Sequence, residues 1–432
     1  IFLSAGHVYL DLYQKTKNKA QLADAKKLFT LAAQLFQEYY LKGEFNETLD
    51  YYHQRIIEGL LTTISFKGVS LQEKMYALNL IERNASQHLL KEYDKKITRS
   101  NVKNRDYLDQ LYNLKLELDY YNNAISKENA TVKFNNSKKI AIKKEIDLLT
   151  KKIAETEKNY LAFNNADFNI KNLLVALKDN EQLLKYYVTE NKIFSVLIEK
   201  NAIDLKQIKR TPGLQQQLDG FISQTKVVAS DFKQNAGNLY ALLLPSSLTK
   251  HITIIPDNFL NYVPFETLYD KSTKQYLVQQ SIISYDYSLP MWLLHKQFSK
   301  SYSNTNLAAF SPSYSGNANA NRDENFKNLK FAGKEAAAIT NLFNGDLYSS
   351  QKATKQTFIN KMEKYKVFHL SMHSQLYEDD FNKSFLLFAN NEKLYFSELY
   401  GMNIPANMVV LSACNTGNGL LRKGEGIMSM SR

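Results

Sequence analysis

Apolar residues in the first quarter of the chain recur three and four positions apart. In "AQLADAKKLFTLAAQLFQEYY" they fall at Leu22, Ala25, Leu28, Phe29, Ala32, Leu35 and Phe36, a spacing that predicts an amphipathic helix. Small residues at Ala25 and Ala32 beside aromatic ones at Phe29 and Phe36 suit closely packed helix pairs. "KMYALNLIERNASQHLLKEY" predicts another helix through Tyr76, Leu78, Ile81, Leu89 and Leu90.

Residues 1–100 resemble degenerate tetratricopeptide (TPR) repeats, although the full repeat signature with Trp, Gly and Pro is not met; an ordinary helical bundle has the same periodicity. Residues 101–170 change character. Leu111, Leu114, Leu118, Tyr121 and Ile125 form one seam, and Ile142, Ile146, Leu149, Ile153 and Tyr160 form a second after a polar break at "KENATVKFNNSKK". This spacing predicts a helical hairpin or linker, whose lysines alternate with glutamates as on a solvated face.

Beyond residue 170 the period shortens towards two. "KIFSVLIEK", "HITIIPD", "YLVQQSIISYDY", "LAAFSPS", "KVFHLSMH" and "NMVVLSAC" read as short strands. Helical segments such as "PGLQQQLDGFISQTKVVASDF" and "AGKEAAAITNLF" lie between them. Strands alternating with helices predict a mostly parallel sheet covered on both faces, so the expected class is α + α/β.

Composition narrows the function. The 432 residues are 44% hydrophobic and 12% aromatic, which is globular and too apolar for intrinsic disorder. Lys and Arg total 55 against 43 Asp and Glu, a formal charge of +12 that permits a nucleic-acid partner without arguing for one, and none is expected. No apolar run reaches the roughly 20 residues of a membrane span. The single cysteine excludes an intrachain disulfide framework or a cysteine-rich zinc site. The chain opens at Ile1, and we read it as a piece of a longer protein, with secretion left open.

The candidate chemistry lies at strand ends, where α/β sheets gather ligands and reacting groups. His373 follows the strand at Val367–Leu370, and Cys414 follows the strand at Met408–Leu411 at the same offset. If the two strands are parallel neighbours, both side chains emerge on one rim as a nucleophile and its acid/base partner. A free thiol is only a few per cent ionised at neutral pH, so an imidazole is needed to activate it. Asn415, Thr416 and Gly417 suit a turn whose N–H groups could stabilise an oxyanion. The competing reading is a buried, inert thiol. His369 reads as a satisfied core residue. The pair His369 and His373 does not form a zinc motif, because the metalloprotease pattern needs a helix and a glutamate where this chain has a strand and Leu370. The glycines of "GNGLLRKGEG" match no nucleotide fingerprint, so no cofactor is expected.

These residues resemble a known family. "VVLSACNTGNGLLRKGEGIMSMSR" is similar to the cysteine motif of CHAT domains, bacterial caspase-like and separase-like peptidases usually found behind TPR repeats, and "VFHLSMHS" to their histidine motif. "ITIIPDNFLNYVPFETL", "YLVQQSIISYDYSLPMWLL" and "LKFAGKEAAAITNLFNGDLYSSQKATKQTF" follow the family's order, so the resemblance covers residues 175–432. It implies a caspase-like α/β peptidase domain over residues 171–432, with Cys414 as nucleophile, His373 as general acid/base, and an oxyanion hole from the backbone N–H groups of Ser374 and Cys414. Asp257, Pro264, Phe265 and Glu266 match a segment read as structural, and Glu425 is expected to hold the glycine-rich loop. The family motif runs on into further helices and a strand, so the domain is expected to be incomplete at Arg432. The implied partners are a protein or peptide substrate and a regulatory protein on the helical repeats, in a bacterial cytoplasm. The alternative is a non-catalytic interaction scaffold carrying an inactive CHAT domain.

Overall fold

The computed structural model describes residues 1–40, 47–83, 85, 107, 110, 114, 132–156, 168–225, 231–298, 306–314, 326–377, 383–402, 404, 406–413, 420–422 and 426–428. The N-terminal stripe becomes four helices: α1 (Phe2–Thr16), α2 (Lys19–Tyr40), α3 (Glu47–Ile64) and α4 (Leu71–Glu82). α1 stops where Lys17 adopts the left-handed conformation, and α4 starts at a capping box in which Ser70 and Glu73 satisfy each other's backbone N–H groups. Leu22, Ala25, Phe29, Ala32 and Phe36 are buried as the spacing predicts, but Ala33 is buried and Leu35 exposed, which turns the buried arc by part of a turn. Tyr76 also departs from its predicted place: its ring is half exposed, where its hydroxyl accepts from Gln34 Nε2 at 3.3 Å, and Met75 fills the core position beside it. Leu89 and Leu90 lie outside the described residues.

The chain divides into two compact units, residues 1–86 with 168–432, and residues 87–167. In the second unit α5 (Val132–Thr156) buries Ile142. It begins inside the stretch expected to be a polar break, because "VKFNNSKK" contains neither Pro nor Gly to stop a helix. Leu111, Leu118, Tyr121 and Ile125 of the expected first arm lie outside the described residues.

The first unit continues through α6 (Ile170–Ala176) into a meander, β1 (Glu181–Val188), β2 (Lys192–Glu199) and β3 (Ala202–Lys209), paired antiparallel. After α7 (Pro212–Gln224) and α8 (Phe232–Leu243), β4 (His251–Ile255) joins β1 in parallel. The ribbon of β5 (Tyr269–Asp270) and β6 (Gln275–Tyr276) then leads through α9 (Leu277–Gln280) to β7 (Ile282–Tyr285), giving the order β3-β2-β1-β4-β7. The run "YLVQQSIISYDY" is thus only partly strand: Gln279 closes a capping box at Tyr276, and Leu277 turns into the core. Leu184, Tyr186, Ile193 and Ile208 pack on α7 and α8, while Leu183, Tyr187, Phe194 and Ile198 share a core with the N-terminal helices.

A second sheet follows α10 (Leu289–Phe298). Its strands are β8 (Leu307–Pro312), β9 (Asp346–Ser350) after α11 (Ala332–Phe343), and β10 (Val367–Ser371) after α12 (Lys355–Lys361). A small antiparallel sheet of β11 (His373–Gln375), β12 (Phe385–Leu387) and β13 (Lys393–Tyr395) and the helix α13 (Phe396–Gly401) precede β14 (Met408–Ser412). All pairs in the order β14-β10-β8-β9 are parallel. The hairpin β15 (Leu420–Arg422) and β16 (Gly426–Met428) lies against the 3-10 turn Asn258–Tyr262. Among the described residues, no helix is long and apolar enough to cross a membrane.

Candidate active site

Side chains alternate along β10. Phe368 and Leu370 enter an aromatic core with Phe310, Phe358 and Phe388, whereas Val367 packs on the other face with Leu307, Ala309 and Ala336. Alanines at 309 and 336 bring α11 close to the sheet on that second face, where His369 and Ser371 also lie. Glu335, in the first turn of α11, reaches them: its Oε2 accepts from Ser371 Oγ at 3.0 Å, and its Oε1 lies 3.1 Å from His369 Nε2. A carboxylate only accepts, so Nε2 of His369 carries its proton, shared with Ser371 Oγ at 3.1 Å. This satisfies the core role expected of His369, which is 4% exposed.

β10 and β14 are parallel neighbours, with Val367 opposite Met408 and Ser371 opposite Ser412. Ser412 lies on the same face of the sheet as Ser371, and its hydroxyl favours the charged form of Glu335. Burial opposes the charge of Glu335, but the hydroxyls of Ser412 and Ser371 and the imidazole of His369 outweigh it and hold its carboxyl below the usual carboxylate value.

His373 follows Ser371 by two residues and opens β11, opposite Leu387. Its ring packs against Tyr314 and Phe326, with centroids 5.0 and 5.3 Å away. Its backbone N–H donates to Tyr314 Oη at 3.1 Å, and Tyr314 in turn donates to the Leu387 carbonyl at 3.0 Å. Nε2 of His373 lies 2.7 Å from the Lys327 carbonyl oxygen. A carbonyl cannot donate, so Nε2 carries the proton and Nδ1 of the neutral ring carries the lone pair.

Cys414 follows Ser412 by two residues, the offset that separates His373 from Ser371. Cys414 itself, Asn415, Thr416, Gly417 and Glu425 lie outside the described residues. Ser374 sits in β11 opposite Leu386. The segment read as structural is built into the first sheet: Asp257 Oδ2 accepts from the Val188 N–H at 2.8 Å, Phe265 is fully buried, and Glu266 stands near Tyr285.

Glu335, Ser371, Ser412 and Tyr314 were not among the candidates from the sequence. The two serines had a legible signal, because "HLSMH" and "VLSAC" repeat Leu-Ser two residues before His373 and Cys414. Comparison with curated proteins finds no match. The family model of the CHAT domain matches residues 208–432, more than half of the chain, and covers β10, β11, β14 and the whole cluster around Glu335. The chain therefore belongs to the CHAT domain family, a family of the caspase-like peptidase type.

Proposed function

We propose that this chain is a cysteine endopeptidase in which Cys414 is the nucleophile and His373 its acid/base partner. The observation that carries the reading is the register of β10 and β14, which aligns Ser371 with Ser412 and so starts the two segments bearing His373 and Cys414 from adjacent positions on one sheet edge. The tautomer of His373 supports it. With the Nε2 proton engaged by the Lys327 carbonyl, Nδ1 is the nitrogen that takes the thiol proton.

The thiolate then attacks the carbonyl carbon of a peptide bond, and the oxyanion is assigned to backbone N–H groups, those of Ser374 and Cys414 in the reading from sequence. Collapse of the tetrahedral intermediate breaks the C–N bond, and the Nδ1 proton goes to the departing amine. Water, deprotonated by Nδ1, hydrolyses the thioester and frees the thiol. The substrate is a protein or peptide.

The test is cleavage of a peptide library by the full chain and by Cys414→Ala and His373→Ala. Wild type should cleave and both variants should lose cleavage by at least about a thousandfold. Cys414→Ala cleaving as fast as wild type would overturn the assignment.

A further inference from the structure

The end of each strand beneath the proposed dyad is tied to one group. Ser371 ends β10 and Ser412 ends β14; the two are register partners on one face of the sheet, the hydroxyl of Ser371 donates to the carboxylate of Glu335, and that of Ser412 helps to hold the same carboxylate charged. His369 adds a further donor from the same face. A carboxylate has about four lone-pair sites, so it can hold several donors at once where an amide oxygen or hydroxyl could not. Hydrogen bonds to a charged acceptor are about twice as strong as neutral ones, which suits a joint that fixes distance. Glu335 itself is anchored on α11, whose close seat on the sheet is set by Ala336 against Leu307 and Ala309.

We infer that Glu335 is a positioning residue that clamps the ends of β10 and β14 through Ser371 and Ser412, and so sets the spacing between the segments carrying His373 and Cys414. The inference rests on the dyad proposed above. A clamp differs from a simple staple of helix to sheet: it engages both strands at the same register, two residues before each reacting group. A shift of about 1 Å between nucleophile and base can cost on the order of a hundredfold in rate, so a loosened clamp should be read in kcat.

Because Cys414 is the only cysteine, alkylation by iodoacetamide reports that one thiol even without a substrate. The experiment compares the wild-type 432-residue chain with Glu335→Gln, Ser412→Ala and His373→Ala. Glu335→Gln keeps the shape of the side chain but replaces one acceptor oxygen by a donor; Ser412→Ala removes a single hydroxyl and keeps the proposal testable if Glu335→Gln fails to fold. The expected result at neutral pH is alkylation slowed about tenfold in both variants, towards the His373→Ala rate, with kcat lowered about a hundredfold and KM within about twofold. Wild-type alkylation and kcat in folded Glu335→Gln and Ser412→Ala would reduce Glu335 to a staple and overturn the proposal, whatever happens to thermal stability. Failure of the peptidase reading shows separately, as activity surviving in Cys414→Ala, and the alkylation rates still decide the clamp: rates unchanged from wild type overturn it.

Discussion

His373 is held at three points: its Nε2 by the Lys327 carbonyl, its backbone N–H by Tyr314, and its ring by Tyr314 and Phe326. Tyr314 is the residue that joins them, since its hydroxyl both accepts from His373 and donates to Leu387. Tyr314→Phe keeps the ring contact and leaves a donor and an acceptor without their partner, so it should destabilise the fold by about 1–3 kcal/mol in urea titration. It should also lower peptidase activity, because β11 is then free to shift at its first residue. The two proposed reacting residues were legible in the sequence because each follows an apolar strand at the same offset. Their support was not: Glu335 lies 34 residues before His369 on a separate helix, and nothing in "AGKEAAAITNLF" marks that carboxylate as a partner of two strand-end serines. Only the close seat of an alanine-lined helix on the sheet creates that contact.

At the scale of elements, helix packing turns on where glycine is needed. A Cβ on Gly59 in α3 would meet the Phe29 ring at 2.2 Å, and that ring is fully buried, so Gly59→Ala should cost about 1–3 kcal/mol despite its better helix propensity. Gly220 in α7 faces open space, so Gly220→Ala should stabilise by about 0.5–1 kcal/mol, and chemical denaturation of the two variants should move in opposite directions. The joint between α2 and α4 is sensitive to acid. The hydrogen bond from Lys26, then those from the Ser70 backbone and hydroxyl, lower the Glu73 carboxyl from its ordinary 4.5 to about 2. A depressed carboxylate contributes stability above its unfolded value and loses it as pH falls through the folded one. The stability difference between wild type and Glu73→Gln should therefore be present at neutral pH and shrink between pH 4.5 and about 2; it should be small, because the side chain is 46% exposed. The same scale shows which elements the sequence conceals. α11 and β2 follow their patterns closely. β1 was missed because it is central in its sheet and buried on both faces, so "EQLLKYYV" lacks alternation; its buried Lys185 lies over the Tyr187 ring at 5.0 Å. β9 was missed for the opposite reason, as an edge strand whose "DLYSS" offers little apolar signal.

Over the whole of the larger unit, the N-terminal helices and the first sheet share one hydrophobic core, so neither surface is solvent-facing in the native chain. Buried carboxylates cross that core, Glu58 of α3 accepting from Thr189 after β1 at 2.6 Å and Glu82 deeper still. Glu82, at the end of α4 and fully buried, accepts from Tyr187 Oη in β1 at 2.7 Å and from the Leu289 N–H at the start of α10 at 3.0 Å. Glu82→Ala leaves two buried donors without partners and a void between three elements, and should destabilise by about 3 kcal/mol or more. Where that loss appears tests how the unit is built. Trp292, the only tryptophan, lies in α10 within the shared core, so its fluorescence reports the sheet side of the junction, while far-ultraviolet circular dichroism is dominated by helices. If the shared core makes helices and sheet one cooperative unit, both signals change at a single urea midpoint in wild type, and Glu82→Ala moves the two midpoints down together. If the helices were an independent body, the helical signal would melt first and the Trp292 transition would stay at its wild-type midpoint. Coincident midpoints would mean that strain on the N-terminal helices is felt at β1 and, through the β1–β4 pairing, by the turn Asn258–Tyr262 against which the hairpin after Cys414 rests.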